Sequence, residues 1–214
     1  MGTALGLIAE AIWLTLVLTL VSGVIGVVLG APLVLLAQSR LRVLRLIYAT
    51  FVHVVRGVPA LVWLFIIFFG MAELKVVIPA LPAAIVALGV ISTASMAEIY
   101  RGGLQAIRFG QYEAAWSLSL SRVSVAKDVI LPQLFRVVSP TVATYFVGLI
   151  KDSALASIIG VGEITYVTSQ QVELHGNGLV LYVFAGALYL ALSIPLGVLS
   201  RTIHTRLTRR YAVV

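Results

Sequence analysis

Four ionisable side chains in this sequence lie within or beside stretches that are otherwise apolar. Glu98 lies near one end of an apolar stretch, Lys151 and Asp152 are adjacent in the middle of another, and Glu163 follows at its far end. An ionisable group inside a membrane is energetically costly, so such residues are functional candidates by default. We therefore take these four positions as the first candidates for a site.

The spacing of these residues leaves two interpretations open. Glu98 and Arg101 are three residues apart and can pair along one helix face. Lys151 and Asp152 are neighbours in sequence and do not share a helix face, so each needs its own partner. They either line a polar pathway or pair with Glu98 or Arg56. The two apolar stretches that contain Glu98 and Lys151 also carry hydroxyl groups, at Ser92, Thr93, Ser95, Ser153 and Ser157.

The composition is that of an integral membrane protein. The chain has 214 residues, of which 61% are hydrophobic and only 11% charged, and its mean hydropathy is +1.10. A soluble domain of this length needs far more polar surface. The absence of cysteine excludes disulfides, a thiolate metal site and a thiol nucleophile. The net charge of +7 fits basic residues on the cytoplasmic side of a membrane better than nucleic-acid binding.

The elements that must position the candidates are membrane-spanning helices, each of about 20 mostly apolar residues. The sequence predicts an all-α membrane protein in which residues 1–214 form a single transmembrane domain. We expect no cleavable signal peptide, because the first apolar run lacks a basic leader and is too long. The five predicted helices cover about residues 7–37, 58–71 (48–71 at its longest), 81–100, 137–160 and 178–199.

The distribution of Lys and Arg predicts the orientation, because basic residues concentrate in cytoplasmic loops. They cluster between helices one and two, between helices three and four, and after helix five. Lys75 alone lies on the opposite side. The N-terminus is therefore predicted outside and the C-terminus inside, with outer loops at 72–80 and 161–177. The basic residues are Arg40, Arg42, Arg45, Arg56, Arg101, Arg108, Arg122, Lys127, Arg136, Arg201, Arg206, Arg209 and Arg210.

Three glycines in the first predicted helix mark a surface for close packing. Gly23, Gly26 and Gly30 follow one another at spacings of three and four residues, so they share one face. Small residues let membrane helices approach each other closely. This face serves either packing within the chain or contact with another subunit.

Residues 101–136, called here the loop segment, are the longest polar stretch between predicted spans. Glu113, Ala114 and Ala115 are followed by Ser119 and later by Leu131-Pro132. The pattern predicts one short helix around Glu113 and a second over 123–129, joined at 119–121 and closed by Leu131-Pro132. On spacing alone, such a compact unit at the membrane surface could be a structural cap.

The loop segment resembles the cytoplasmic loop of ABC importer permeases, in which Glu-Ala-Ala is followed by a small residue and later by Leu-Pro. Three further stretches resemble the polar amino-acid subfamily, which includes histidine, glutamate, glutamine, arginine and opine permeases. The resemblance extends over most of the chain from Leu14 onward. The stretches are FVHVVRGVPALVWLFIIFFG (51–70), SMAEIYRGGLQAIRFGQ (95–111) and LIKDSALASIIGVGEIT (149–165).

This resemblance implies a type I ABC importer permease fold with a cytoplasmic coupling helix, in a bacterial inner membrane. It implies ATPase subunits that carry ATP and Mg, a second permease subunit (identical or paralogous), and an extracytoplasmic solute-binding protein that delivers an amino acid. The residues implied in contact with the ATPase are Glu113, Ala114, Ala115, Ser119, Leu131 and Pro132.

A zwitterionic amino acid needs an anion for its ammonium group and a donor for its carboxylate. Asp152 or Glu98 could supply the anion, and Lys151 or hydroxyl groups the donor. The substrate-pathway candidates are Glu98, Lys151, Asp152, Ser153 and Glu163.

Ser119 departs from the family pattern, which usually has glycine at this position. Glycine suits a turn with positive φ, and serine tolerates that conformation less well. We expect either a differently built turn or a modest backbone strain at Ser119.

The chain itself is not expected to be an enzyme. It has no G-x-x-x-x-G-K-[ST] pattern for ATP, no metal constellation among His53, His175 and His204, and no nucleophile–base pair. The alternative is an ATP-independent channel or secondary transporter that uses Lys151, Asp152 and Glu98 as an ion relay. Such a protein has no reason to keep the loop segment, and its frequent inverted repeats are not seen here. A membrane scaffold is a third possibility, which polar residues in the spans disfavour.

Overall fold

The computed structural model describes the backbone of residues 2–211 and the side chains of residues 2–202 and 205. Within these residues the regular structure is entirely helical. Two π-helical turns, Ile66–Gly70 and Val125–Ile130, and one 3₁₀ helix, Ser153–Ile159, interrupt the α-helices. The α-helices are α1 (Gly2–Glu10), α2 (Ile12–Ala37), α3 (Arg42–Gly57), α4 (Ala60–Phe65), α5 (Met71–Glu73), α6 (Ala80–Ala106), α7 (Phe109–Ser117), α8 (Arg122–Ser124), α9 (Leu131–Asp152), α10 (Ile164–His175) and α11 (Gly178–Tyr211).

The first span consists of α1 and α2, and α2 packs against α6 through Gly26 and Gly30 and against α9 through Gly23. A Cβ atom on Gly26 would lie 2.4 Å from Cβ of Ser92, and one on Gly30 would lie 2.7 Å from Cβ of Met96. A Cβ atom on Gly23 would lie 2.3 Å from Cε1 of the Phe146 ring on α9. Of the two interpretations of this face, the structure therefore supports packing within the chain.

The second predicted helix was wrong in its longest form, 48–71, because the chain bends sharply at Val58, where its shorter form begins. α3 and the α4–α5 region are bent by 100° relative to each other. Pro59 causes the break, because it disfavours helical backbone at Val58, which is extended with ψ 134°. The Trp63 indole Nε1 then donates to the Val55 carbonyl at 3.0 Å, a hydrogen bond that bridges the bend.

The fourth predicted helix begins much earlier than residue 137. Residues 122–159 form one continuous helical run of 38 residues. The predicted second short helix therefore does not close at Leu131-Pro132 but continues into the span. Pro132, at the start of α9, lies directly after the π-helical turn Val125–Ile130, where the regular α-helical hydrogen-bond pattern is already interrupted.

The predicted outer loop 161–177 contains the helix α10, which periodicity did not reveal. This helix is short and polar, and Glu163 caps it at its start. α11 is also longer than the predicted 178–199. The side chains of His204, Arg206, Arg209 and Arg210, which contributed to the orientation and metal arguments, lie outside the described residues.

Among the described residues, four helices are long and apolar enough to cross a membrane, or five if the bent α3–α5 unit counts as one span. The upper number agrees with the five spans expected from the sequence. The largest buried cluster joins α2, α4, α6 and α9 around Leu18, Leu64, Leu88 and Leu149, each at most 1% exposed. This core fixes the relative position of the elements that carry the candidate residues.

Candidate functional site

The helix α7 presents one polar edge outward and one apolar edge inward. Glu113 and Ala114 are exposed, whereas Ala115 is 4% exposed and packs with Ile107, Val125 and Ile130. The Glu113 side chain makes no hydrogen bond or ion pair with any residue that the structure describes. Its carboxylate is therefore available to a partner outside this chain.

Aromatic residues also lie at the surface of α7. The Phe109 ring stacks on Tyr112 with 6.2 Å between centroids and meets the edge of Trp116 at 5.9 Å. Phe109 is 63% exposed and Leu118, just after the helix, 75% exposed. Exposed apolar groups beside a free carboxylate are typical of a protein contact surface.

The turn after α7 is a Schellman motif with serine at the position that favours glycine. Ser119 has φ 56°. Its N–H donates to the Trp116 carbonyl at 2.9 Å, and the Leu120 N–H donates to the Ala115 carbonyl at 3.2 Å. The turn thus has the positive-φ conformation that glycine would suit, and of the two expected outcomes the chain takes the one with backbone strain at Ser119.

Replacing Ser119 with glycine is expected to stabilise the protein by roughly 0.5–1 kcal/mol, because glycine removes the strain of the left-handed conformation. The greater conformational entropy of glycine in the unfolded chain offsets part of this gain. The apparent melting temperature of the purified protein in detergent measures the effect. Ser119→Ala is the matched control, since alanine keeps the Cβ atom and hence the strain. A lower melting temperature for Ser119→Gly than for Ser119→Ala would contradict this account.

The start of α9 is joined to α7 by direct contacts. The Gln133 amide Nε2 donates to Gln111 Oε1 at 3.0 Å. Leu131 and Pro132 are exposed at this junction. The structure therefore brings the predicted coupling residues into one compact unit, but as a corner between α7 and a long span rather than as two separate short helices.

A second polar group of residues gathers around Glu98 on α6. Arg101 donates to Glu98 from Nε at 2.7 Å and from Nη2 at 2.9 Å, and the Tyr48 hydroxyl donates to Oε1 at 2.5 Å. Arg56 Nη1 lies 3.6 Å from Oε2. The predicted Glu98–Arg101 pairing is thus present, and the same carboxylate also ties α3 to α6.

Lys151 and Asp152 have a different environment from the one expected. They lie in the last turn of α9, where the helical run 122–159 changes from α-helix to the 3₁₀ helix Ser153–Ile159. Both are exposed, and neither forms an ion pair with a residue in the described part of the chain. Of the two alternatives, neither residue forms the ion pair with Glu98 or Arg56, and Arg56 instead lies 3.6 Å from the Glu98 carboxylate.

Two of the pathway candidates have local structural contacts. Ser153 is fully buried and donates to the Ile150 carbonyl at 2.6 Å. Glu163 is also fully buried, accepts from the Tyr166 N–H at 2.9 Å, and is hydrogen-bonded by the Tyr189 hydroxyl. Burial raises the pKa of the Glu163 carboxyl. Its contacts make Glu163 the N-cap of α10 and a link to α11.

No sequence pattern pointed to Tyr48 and Tyr189, the tyrosines that donate hydrogen bonds to these two carboxylates. They are 50 and 26 residues away from Glu98 and Glu163, so no local spacing connects them. Among the described residues no group of three or more metal-binding side chains is found.

The sequence matches a known family over most of its length. Residues 22–213 match the family described as binding-protein-dependent transport system inner membrane component. The chain is 32% identical to the L-cystine transport system permease protein TcyB of Bacillus subtilis (strain 168), over 96% of this chain and 88% of that protein. It is 34% identical to the arginine transport system permease protein ArtQ of the same organism, over 94% and 92%.

Solved structures show the same arrangement of helices. An amino acid ABC transporter crystallised with histidines matches with a TM-score of 0.89 and 30% identity, over 94% of both chains. The methionine ABC transporter MetNI in an inward-facing conformation matches with a TM-score of 0.79 and 23% identity, which concerns the fold alone.

Proposed function

Because the chain belongs to the family of binding-protein-dependent transport system inner membrane components, we propose that it forms the translocation pathway of an ABC importer for a polar or charged amino acid. The observation that carries this proposal is the exposed carboxylate of Glu113, which has no partner among the described residues, on a helix of a chain that is similar to amino-acid permeases over 94% of its length. The chain is a transport subunit, and ATP hydrolysis takes place on a separate subunit.

The loop segment is the contact with that ATPase. Glu113 and Ala114 face outward, Ala115 anchors α7 to the body of the permease, and the turn at Ser119 fixes the direction of the helix. Leu131 and Pro132 lie where the loop segment enters α9, so a displacement of α7 by the ATPase also displaces this long span. ATP and Mg bind to the partner chain in this proposal.

The complete importer contains two permease subunits, either two copies of this chain or this chain and a paralogue, and an extracytoplasmic solute-binding protein. Closure of the ATPase dimer draws the two α7 helices together and switches the pathway between inward-facing and outward-facing states. Physically this is a two-state rigid-body device, in which ATP biases the equilibrium and the loop segment transmits the bias.

The substrate class follows from the relatives and from the charges of the pathway candidates. The relatives named above transport cystine and arginine. In this chain Asp152 and Lys151 expose one charge of each sign at the end of α9. Asp152 is proposed to bind the ammonium group of the amino acid and Lys151 its carboxylate, while Glu98 is held by Arg101, Tyr48 and Arg56.

Replacing Asp152 with asparagine is expected to lower amino-acid transport roughly tenfold, because the ammonium group loses a charged acceptor. Uptake of a labelled amino acid into proteoliposomes that contain the complete importer measures the effect. Glu173→Gln, an equivalent change at an exposed position on α10, serves as the control. Unchanged uptake by Asp152→Asn, with normal assembly, would exclude the proposed role.

The function itself is tested by mixing the purified chain with ATPase chains encoded near its gene and with a candidate binding protein. The proposal predicts a stable complex and ATP hydrolysis that rises when the binding protein carries its amino acid. Failure of every ATPase chain to bind, together with solute flux in their absence, would favour the alternative of a channel or secondary transporter.

A further inference from the structure

A large groove lies beside the loop segment, between the end of α2, the end of α6, α7 and the start of α9. Its volume is about 1310 Å³, above the roughly 300–1,000 Å³ of an ordinary small-molecule site. The floor is apolar, formed by residues such as Val34, Leu104, Ile130, Leu134 and Val138. This shape and lining suit a long hydrocarbon chain better than a polar solute.

The charged residues of the groove are both cations. Arg40 follows α2 and Arg122 begins α8, so they approach the groove from two different elements. Among the described residues, no Asp or Glu lines it. Both arginines are exposed, and neither forms an ion pair with a residue that the structure describes. An occupant that extends from the apolar floor to these guanidinium groups therefore needs an anionic end.

Aromatic residues place the groove at the boundary between lipid and water. Tyr100, Tyr112 and Trp116 line it, and tyrosine and tryptophan concentrate at the headgroup level of membranes. The Tyr100 hydroxyl donates to the Val27 carbonyl at 3.1 Å and so fixes α6 to α2 along one wall. These aromatic residues suit the headgroup level of a membrane, and the groove lies on the side predicted to be cytoplasmic.

We propose that this groove binds an anionic glycerophospholipid, with an acyl chain of the lipid along the apolar floor and the lipid phosphate between Arg40 and Arg122. Arginine pairs with phosphate through two parallel hydrogen bonds, which favours this headgroup over a point contact. No hydrogen bond joins α2 to α7 among the described residues. The lipid thus links the first span to the helix that meets the ATPase.

The three tryptophans of the chain allow a direct test in nanodiscs that contain equal amounts of phosphatidylglycerol and phosphatidylcholine. Bromine is placed on the acyl chains of one lipid at a time, and tryptophan quenching is measured for the full chain. Subtracting the signal of Trp116→Phe isolates Trp116 from Trp13 and Trp63. We expect brominated phosphatidylglycerol to act at Trp116 with about tenfold preference over phosphatidylcholine, because two arginines attract the anionic lipid.

The double variant Arg40→Gln/Arg122→Gln is expected to abolish this preference. The matched control is Arg42→Gln/Arg45→Gln, which removes the same charge on the same predicted side from exposed residues outside the groove. Equal quenching by both lipids would overturn the proposal, as would equal loss in the control pair, which means general surface attraction. Absence of quenching at Trp116 by either lipid would also overturn the proposal, because no acyl chain would then reach the groove. The readout is lipid contact, so it does not depend on the proposed transport function.

Discussion

Replacing Glu113 with arginine is expected to reduce the binding of the ATPase chain, and ATP hydrolysis in the complex, by at least about 30-fold. Charged residues at the centre of an interface commonly contribute 2 kcal/mol or more, and reversal of the charge adds repulsion. Glu113 is exposed on α7 and has no partner in the described part of this chain. The fold of the permease should therefore remain intact.

Co-purification of the ATPase chain with the tagged permease in detergent measures this effect without any need for the solute-binding protein. Glu173→Arg is the matched control, because it makes the same charge reversal at an exposed position on α10. Full retention of the ATPase chain by Glu113→Arg would show that α7 is not the coupling surface. In that case the loop segment would return to the structural role that spacing alone allows.

Replacing Gly26 with alanine is expected to destabilise the folded protein by about 3 kcal/mol and to lower its yield sharply. The added Cβ atom would lie 2.4 Å from Cβ of Ser92 and 2.7 Å from its backbone carbonyl carbon. A backbone atom cannot rotate away, so α2 and α6 must separate along their contact. Overpacking of this kind destabilises cores by about 1–3 kcal/mol.

The apparent melting temperature in detergent and the monodispersity of the purified protein report this change. Gly186→Ala is the matched control, because nothing lies within 4 Å of the position where its Cβ atom would be. Alanine also has the higher helix propensity, so the control should be neutral or slightly stabilising. Equal behaviour of the two variants would mean that α2 and α6 are not packed through Gly26.

The sequence determined the features that depend on composition and local pattern. The apolar stretches identified a helical membrane protein, because only about 20 apolar residues in a helix satisfy the backbone inside lipid. The Glu98–Arg101 pair followed from a spacing of three residues on one helix. The unusual conformation at Ser119 was one of two expected outcomes, because only a few residue types tolerate positive φ.

The prolines of this chain do not by themselves determine where a helix ends or bends. Pro59 produces a 100° bend, whereas Pro132 and Pro140 are accommodated within or at the start of α9. The sequence shows a proline in each case, but the outcome depends on the neighbours. The Trp63–Val55 hydrogen bond supports the bend, and a π-helical turn leads into Pro132.

The environment of each ionisable side chain was decided by tertiary structure alone. Glu98 is bound by Tyr48 from α3, and Glu163 by Tyr189 from α11, although neither tyrosine is near its partner in sequence. Lys151 and Asp152, which the sequence could place either in ion pairs or in a pathway, are exposed at a helix end. Hydropathy and spacing determine which residues lie in helices, but the contacts between helices depend on side-chain packing. Packing therefore decides which charged side chains are paired within the chain and which remain available to a substrate or a partner.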